Sequence, residues 1–409
     1  VGLAGAYDSV LFDLDGVLYR GGDPIPAAAE AVGKLRADGI GVSFVTNNSS
    51  ATREEVARRL TGFGIEANPD EVASSAGATA DLLARSGVRL AFVIGETGIR
   101  SALVDRGIEV LDGEPASVDA VVVGWDRSAD YAKLRRASLL VQGGARLVAT
   151  NADAAYPAPD GLWPGAGALL AAVVTTTGAT PEIVGKPHAP LFELARESAG
   201  GTRALFVGDR LDTDIAGAAA LGWDSLLVLT GVTRPRDLLA SEVLPTFLAS
   251  DLSALHRDGA RIRPATEADV GPVERLLAEA QLDTAGVPSR LPHTFVAGPV
   301  SGDAAAASAN TLMVGTVSIE LHEELAHLRS LAVQADRRGA SFGTLLVATA
   351  VRHARQAGAH ELVLVTETAG PFFAALGLEE AGRLSALPDA FRSTAALCSE
   401  SASVFRLEL

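Results

Sequence analysis

The sequence is short of several things. Its 409 residues include one cysteine, Cys398, and one methionine, so no intrachain disulfide can form. Single-cysteine usage fits a reducing compartment, and a cytoplasmic location is the expectation. Basic residues are in deficit: 34 Lys and Arg against 50 Asp and Glu give a formal charge of −16. Such a surface repels nucleic acid and anionic membranes, so neither is expected as a partner. An anionic substrate would need local positive charge from a metal ion, a lysine or a helix N-terminus. No apolar run reaches the roughly 18–20 residues of a membrane span. The longest, Gly165–Val174, reads as a buried helix. Asp8, Asp13 and Asp15 interrupt the first apolar segment and no basic leader precedes it, so this segment does not read as a signal peptide.

What is abundant is apolar surface, at 48% of residues, enough for packed cores. The length predicts two or three domains. Strand and helix alternate at first. Ser9–Asp13 and Gly41–Thr46 read as buried strands, and Ala27–Asp38 and Thr52–Phe63 as helices. The alternation resumes with Ala204–Val207, a helix over Asp214–Leu221 and Ser225–Leu229. Short links in this order predict a parallel sheet with right-handed crossovers. Between these blocks lie further strands at Leu90–Ile94, Ala120–Gly124 and Arg146–Thr150, which read as an inserted domain. The expected division is 1–75 and 184–258 for one α/β core, 76–183 for the insertion and 261–409 for a C-terminal α/β domain. In the last, Leu325–Val333 and Glu361–Thr366 read as strands, Phe342–Ala357 as a long helix and Gly298–Asn310 as a low-complexity loop.

Chemistry concentrates at predicted strand ends. Asp13 and Asp15 are two apart where the first strand meets Gly16, so they can converge on one point. Two close carboxylates repel unless a cation or a shared proton relieves them. A hard divalent ion with oxygen ligands does so, and magnesium also accepts phosphate. Thr46-Asn47 ends the second strand, Gly185-Lys186-Pro187 precedes a helix, and Gly208-Asp209 through Asp214 follows a third strand. Each alone has a plain alternative: a turn, a solvated lysine, a helix cap. Their order on one sheet singles them out.

These segments, Asp13-Leu14-Asp15-Gly16-Val17-Leu18, Thr46-Asn47-Asn48, Gly185-Lys186-Pro187 and Gly208-Asp209 with Asp214, resemble the four motifs of the haloacid dehalogenase (HAD) superfamily. The insertion resembles the C2 cap of its NagD-like class IIA, with Tyr19-Arg20-Gly21-Gly22, Val123-Gly124-Trp125-Asp126 and Thr150-Asn151-Ala152-Asp153 in support. The fold implied is a Rossmann-like parallel core with an inserted α/β cap. The resemblance implies a phosphatase in which Asp13 is the nucleophile and Asp15 the general acid and base. Thr46, Asn47 and Lys186 would hold phosphate. Asp13, Asp15 (through its carbonyl) and Asp209 would hold Mg2+, with Asp214 supporting the metal shell. Caps of this class often pair, which implies a homodimer.

The cap sets the substrate. Arg20, Asn151, Asp153 and His188 are candidates to face it, although His188 reads more simply as a residue at a helix start, hydrogen-bonded to backbone. The cap loops are poor in aromatics; Tyr156 and Trp163 are the exceptions, and they read either as rings available to stack or as core. Few rings for stacking points to a small aliphatic phosphomonoester. In the C-terminal third, Leu325–Val333, then Arg338-Gly339-Ala340-Ser341-Phe342-Gly343 and a long helix, resemble the coenzyme A loop of GNAT acetyltransferases, whose amides cradle a pyrophosphate. Arg338, Gly339 and Gly343 would line it. Two departures stand out: Ser341 replaces a glycine, and Phe373 stands where a tyrosine acid is common. Acetyl-CoA or another ligand is the implied partner. The whole arrangement resembles the actinobacterial glycerol-3-phosphate phosphatases, which implies glycerol 3-phosphate hydrolysis. Phosphoglycolate, pyridoxal phosphate, nucleotides and a bifunctional phosphatase/N-acetyltransferase are the alternatives.

Overall fold

A computed structural model describes residues 2–158, 160–300, 313–383 and 402–409. Most of the low-complexity stretch and Cys398 lie outside the described residues. The chain forms two compact units. One comprises Tyr7–Gly208 with Asp212–Ser225, and the other holds the remainder.

In the first unit, β1 (Ser9–Asp13), α1 (Ala28–Ala37), β2 (Gly41–Thr46), α2 (Arg53–Gly62), β3 (Val72–Ser74) and α3 (Ser75–Arg85) follow one another. A second sheet then intervenes. It runs β4 (Leu90–Ile94), α4 (Thr97–Asp105), β5 (Glu109–Leu111), β6 (Ala120–Val123), α5 (Tyr131–Gln142) and β7 (Arg146–Ala149). The hairpin β8 (Ala155–Ala158) and β9 (Gly161–Pro164), then α6 (Ala166–Thr177) and β10 (Glu182–Ile183), complete the insertion. The chain returns through α7 (Ala189–Ala199), β11 (Ala204–Gly208) and α8 (Ala216–Ala220). Strands β11, β1, β2 and β3 lie side by side and parallel. The inserted sheet, ordered β10-β7-β6-β4-β5, is also all parallel. All five residues of β1 are buried, as parallel strands covered on both faces require. Phe12, Phe44 and Phe206 are fully buried, each contributing about 1.5–3 kcal/mol. Helix α2 starts sharply because Thr52 and Glu55 form a reciprocal capping box.

In the second unit, Leu226–Val228 of β12 (Asp224–Val228) pairs in parallel with β13 (Phe247–Ala249). A seven-stranded mixed sheet follows: β14 (Ala260–Pro264), β15 (Thr294–Pro299), β16 (Gly315–His322), β17 (Leu325–Val333), β18 (Glu361–Thr366), β19 (Glu379–Arg383) and β20 (Ser403–Glu408). Their spatial order is 14-15-16-17-18-20-19. Helix α9 (Val270–Glu279) and the long α10 (Phe342–Gln356) accompany it. Strands β17 and β18 pair only over Leu325–His327 and Glu361–Val363, so they part toward their C-terminal ends.

Two expectations need correction, and one open alternative is decided. Helix α6 is not buried: only Ala166, Leu170 and Val173 are. Its apolar run is rich in alanine, whose small surface costs little to expose. Tyr156 and Trp163 are not core but lie 38% and 39% exposed on the hairpin. Tyr156 stacks on Trp125 with ring centroids 4.2 Å apart. The helix expected from Asp214 begins instead with a π-helical turn, Leu211–Ile215, before α8.

Candidate active site

The site grows from the ends of β1 and β11. Asp13 is the last residue of β1 and is buried. Lys186, just before α7, is buried with it and bonds Asp13 Oδ1 at 2.5 Å and Asp214 Oδ1 at 2.7 Å. Burial opposes the lysine's charge, but the two carboxylates outweigh it and hold its pKa above the ordinary value. Asp209 directly follows Gly208, at the end of β11. One oxygen each of Asp13, Asp209 and Asp214 lies within 4.8 Å of the others, and all three residues are buried. Three buried carboxylates against one lysine leave an excess of negative charge, which is costly without a further cation. An all-oxygen donor set of this kind fits a hard divalent ion.

The π-helical turn matters here. Such turns insert one extra residue and re-aim side chains at functional sites. This one turns Asp214 back toward Lys186. Close approach also needs glycine: a methyl on Gly208 would overlap Asp214, and one on Gly231 would overlap the Asp209 carboxylate. The loop after β12 holds that carboxylate, with Val232 N–H donating to Asp209 Oδ2 at 2.7 Å and Thr233 N–H to its main-chain oxygen at 3.2 Å.

Asp15 sits in the loop after β1. Its side chain opens to solvent, yet surrounding protein raises its pKa. The Gly21 amide and the Arg59 and Arg20 guanidiniums pull only partly against that desolvation. Arg59, from α2, lies over the Tyr19 ring at 4.3 Å and donates to the Gly21 carbonyl, bracing the loop that carries the acid. Arg20 is exposed.

Thr46 is buried, and its Oγ1 accepts the Asn48 amide at 3.1 Å. Asn47 is more connected than its strand-end position suggests. Its Oδ1 accepts Lys186 N–H at 2.7 Å, and its Nδ2 donates to Lys186 O at 3.2 Å and to Asp153 Oδ2 at 3.3 Å. Its own carbonyl accepts from Asn151 Nδ2 and Ser75 Oγ, both at 2.7 Å. Asn151 and Asp153 of the insertion therefore meet the core at Asn47. His188 is the exposed N-cap of α7, but its side chain makes no cap bond, so the helix-start position is found without the side-chain bond to backbone expected of it. Gly231, Arg59 and the carboxamide of Asn47 escaped the sequence reading. Only Gly231 left a trace there, as a glycine just past a strand.

In the C-terminal domain the residues preceding α10 carry Gly339 at φ +79° and Ser341 at φ +64°. Ser341 thus takes a left-handed conformation that favours glycine. Arg338 donates Nε–H to Val333 O at 3.1 Å, and Gly343 lies in the first turn of α10. Phe373 is buried between Phe372 and Phe405. On the sheet, Glu320 accepts from Arg329 at 2.9 Å and Arg290 at 3.3 Å. Nearby His327 is buried, and desolvation with the adjacent Arg329 pushes its pKa down to about 4.

Comparison with known proteins agrees with this geometry. The haloacid dehalogenase-like hydrolase family model matches residues 10–109, and a second HAD hydrolase-like model matches 183–255. The acetyltransferase (GNAT) family model matches residues 283–378. An acid sugar phosphatase of Staphylococcus epidermidis is 37% identical over 250 residues, covering 60% of this chain and 96% of that protein. The chain belongs to the haloacid dehalogenase-like hydrolase family. Among solved structures, glycerol phosphate phosphatase Rv1692 from Mycobacterium tuberculosis, in complex with calcium, is 29% identical with a TM-score of 0.70. It covers 92% of this chain and 98% of its own. The same protein in complex with magnesium gives 28% and 0.69. A thermostable NPPase from Geobacillus stearothermophilus is 37% identical over 60% of this chain and 97% of its own, with a TM-score of 0.56. The likeness to Rv1692 extends through the C-terminal domain. Among the described residues no helix is long and apolar enough to cross a membrane.

Proposed function

We propose that this protein is a magnesium-dependent phosphatase that hydrolyses small phosphomonoesters through a phosphoaspartate on Asp13, with glycerol phosphate as the preferred substrate. The observation that carries the phosphatase reading is buried Asp13 bound to Lys186 beside Asp209 and Asp214. Lys186, the Thr46 hydroxyl and backbone amides near Asn47 neutralise and orient the phosphoryl oxygens. A carboxylate oxygen of Asp13 attacks phosphorus as the bond to the leaving oxygen breaks. Asp15, whose raised pKa keeps a larger protonated fraction near neutrality, gives its proton to that oxygen. It then takes a proton from the water that attacks the acyl phosphate, releasing orthophosphate and restoring Asp13. Asp13, Asp209 and the Asp15 carbonyl, with Asp214 in support, would hold Mg2+, which would supply positive charge to the phosphoryl oxygens.

The likeness to a glycerol phosphate phosphatase over 92% of the chain supports the substrate. The acid sugar phosphatase relatives support a second reading, a sugar phosphate. The test is phosphate release from glycerol 3-phosphate, sugar phosphates, phosphoglycolate, pyridoxal phosphate and nucleotides, ranked by kcat/KM with and without Mg2+. Glycerol 3-phosphate is expected to lead; a rank near the bottom rejects it. The GNAT domain supports a bifunctional reading as well, tested by calorimetry with acetyl-CoA.

A further inference from the structure

Asp209 is held from the loop after β12, and that loop leads straight into contact with the acetyltransferase-like domain. Asp209 itself belongs to the same compact unit as residues 226–409, not to the unit that carries Asp13. Val232 N–H holds its Oδ2 and Thr233 N–H its main-chain oxygen. The next residue, Arg234, opens a 3-10 turn, Pro235–Ala240, and its N–H is fixed by Asp237 Oδ2 at 2.7 Å. Leu238 and Leu239 of this turn are buried, and the turn packs against α10. A helical turn ends in carbonyls that lack partners within it. Here Arg355, in the last turn of α10, donates Nη1–H to Leu239 O at 2.5 Å. On a second side Arg236 meets the main chain at Gly377, where a methyl would stand 3.7 Å from its Cβ. Leu239 falls in the segment matched by the hydrolase family and Arg355 in the one matched by the acetyltransferase family.

We propose that the C-terminal domain is an integral part of the phosphatase: through the 231–240 segment it positions Asp209 for the metal, and Arg355 is the positioning residue at the far end. The inference rests on the metal reading given above. A segment tied only at β12 would let the two amides drift with the Asp209 carboxylate they hold. Tied at α10 as well, it cannot. Magnesium requires near-ideal octahedral placement of its ligands, and loss of outer-shell support weakens metal binding by about 10- to 100-fold. The tie is a strong one, because a guanidinium bond to a carbonyl is charge-assisted. A cation at the C-terminal end of a helical turn is also favoured by the turn's dipole.

The test is calorimetric titration of Mg2+ into the full chain, paired with the Mg2+ concentration that gives half-maximal phosphate release from 4-nitrophenyl phosphate. Arg355→Met keeps the apolar stem and removes the donors. It is expected to weaken Mg2+ about tenfold and to raise the half-maximal concentration by the same factor. Arg355→Lys, which retains a charged donor, is expected to bring Mg2+ affinity back to within about threefold of wild type. Leu238→Ala, which loosens the turn against α10, is expected to act in the same direction as Arg355→Met. It decides alone if that variant does not fold, as judged by circular dichroism. Leu277→Ala is the control. It removes a buried side chain from the core that α9 forms with Val287, Val296 and Ala332, so it destabilises the same domain and is expected to leave Mg2+ affinity at the wild-type value. Wild-type affinity in the Arg355→Met and Leu238→Ala variants that fold overturns the proposal and leaves the metal reading intact. A loss in Leu277→Ala as large as in Arg355→Met also overturns it, because the effect then belongs to general instability. A wild-type chain that binds no Mg2+ rejects the metal reading and this proposal with it.

Discussion

The two family-like sites of this chain handle departures from ordinary protein interiors in opposite ways. Around Asp13 the departures are charges, and each is compensated: Lys186 lies between two carboxylates, amides hold Asp209, and the excess negative charge matches a divalent ion. In the loop before α10 the departures are substitutions. Ser341 occupies a glycine conformation and Phe373 presents only a hydrocarbon ring. A fold can persist where its chemistry does not, since packing needs shape while catalysis needs particular atoms in particular places. The first region is therefore expected to respond to mutation mainly in activity, and the second mainly in stability.

The largest expected effect tests the first half of that contrast. Asp13→Asn keeps the shape but removes the nucleophile, and kcat on 4-nitrophenyl phosphate should fall by about 10⁴-fold or more. Retention of a tenth of the activity would falsify the nucleophile assignment. Lys186→Met should both inactivate and destabilise, by about 3–5 kcal/mol, because it strands Asp13 and Asp214 in the interior. Urea unfolding measures this, and an unchanged midpoint contradicts the buried ion triad.

The C-terminal sheet should give a pH signature instead. His327 has its pKa lowered to about 4 in the fold, so the unfolded chain binds its proton more readily. Its contribution to stability is constant above the unfolded value near 6.5, declines as pH falls from there toward 4, and levels off below. The loss is at most about 3 kcal/mol. His327→Gln should flatten that part of the stability–pH curve; an unaltered slope assigns it to other groups.

Two smaller effects sharpen the comparison. Gly231→Ala should displace the Asp209 carboxylate and weaken Mg2+ about 10- to 100-fold, as loss of outer-shell support does. Calorimetry with Mg2+ reads it, and unchanged affinity would separate this loop from the metal. Ser341→Gly should relieve left-handed strain and alter stability by no more than about 1 kcal/mol. A Tm that drops by several degrees would mean that the serine side chain supports the loop.

Much of the fold is legible in the residue order. The bounds of β1, β2, β4, β17 and β18 follow from their sequences residue for residue; in β1, β2 and β4 this is because dense apolar runs stopped by Asp, Asn or Gly leave little choice of period or end. The expectation failed at α6, where apolar composition did not mean burial, and at the π-helical turn, whose extra residue leaves no periodic mark. Asn47 read as an end-of-strand residue with an amide to offer. Its carboxamide in fact spans Lys186 and Asp153, 139 and 106 residues away in the chain. The support that Arg59 gives to the acid loop was equally hidden.

By itself the sequence determined which chemistries were available and in what order they occur: carboxylates and a lysine at strand ends, an inserted sheet, and a glycine-containing loop before a long helix. Those properties are local, set by side-chain type and by periods of two and 3.6 residues. Tertiary structure alone decided which charges meet, which carboxylate feels burial and which aromatics face water. Electrostatic energies depend on distances of a few ångströms and on the surrounding dielectric, and neither is written along the chain.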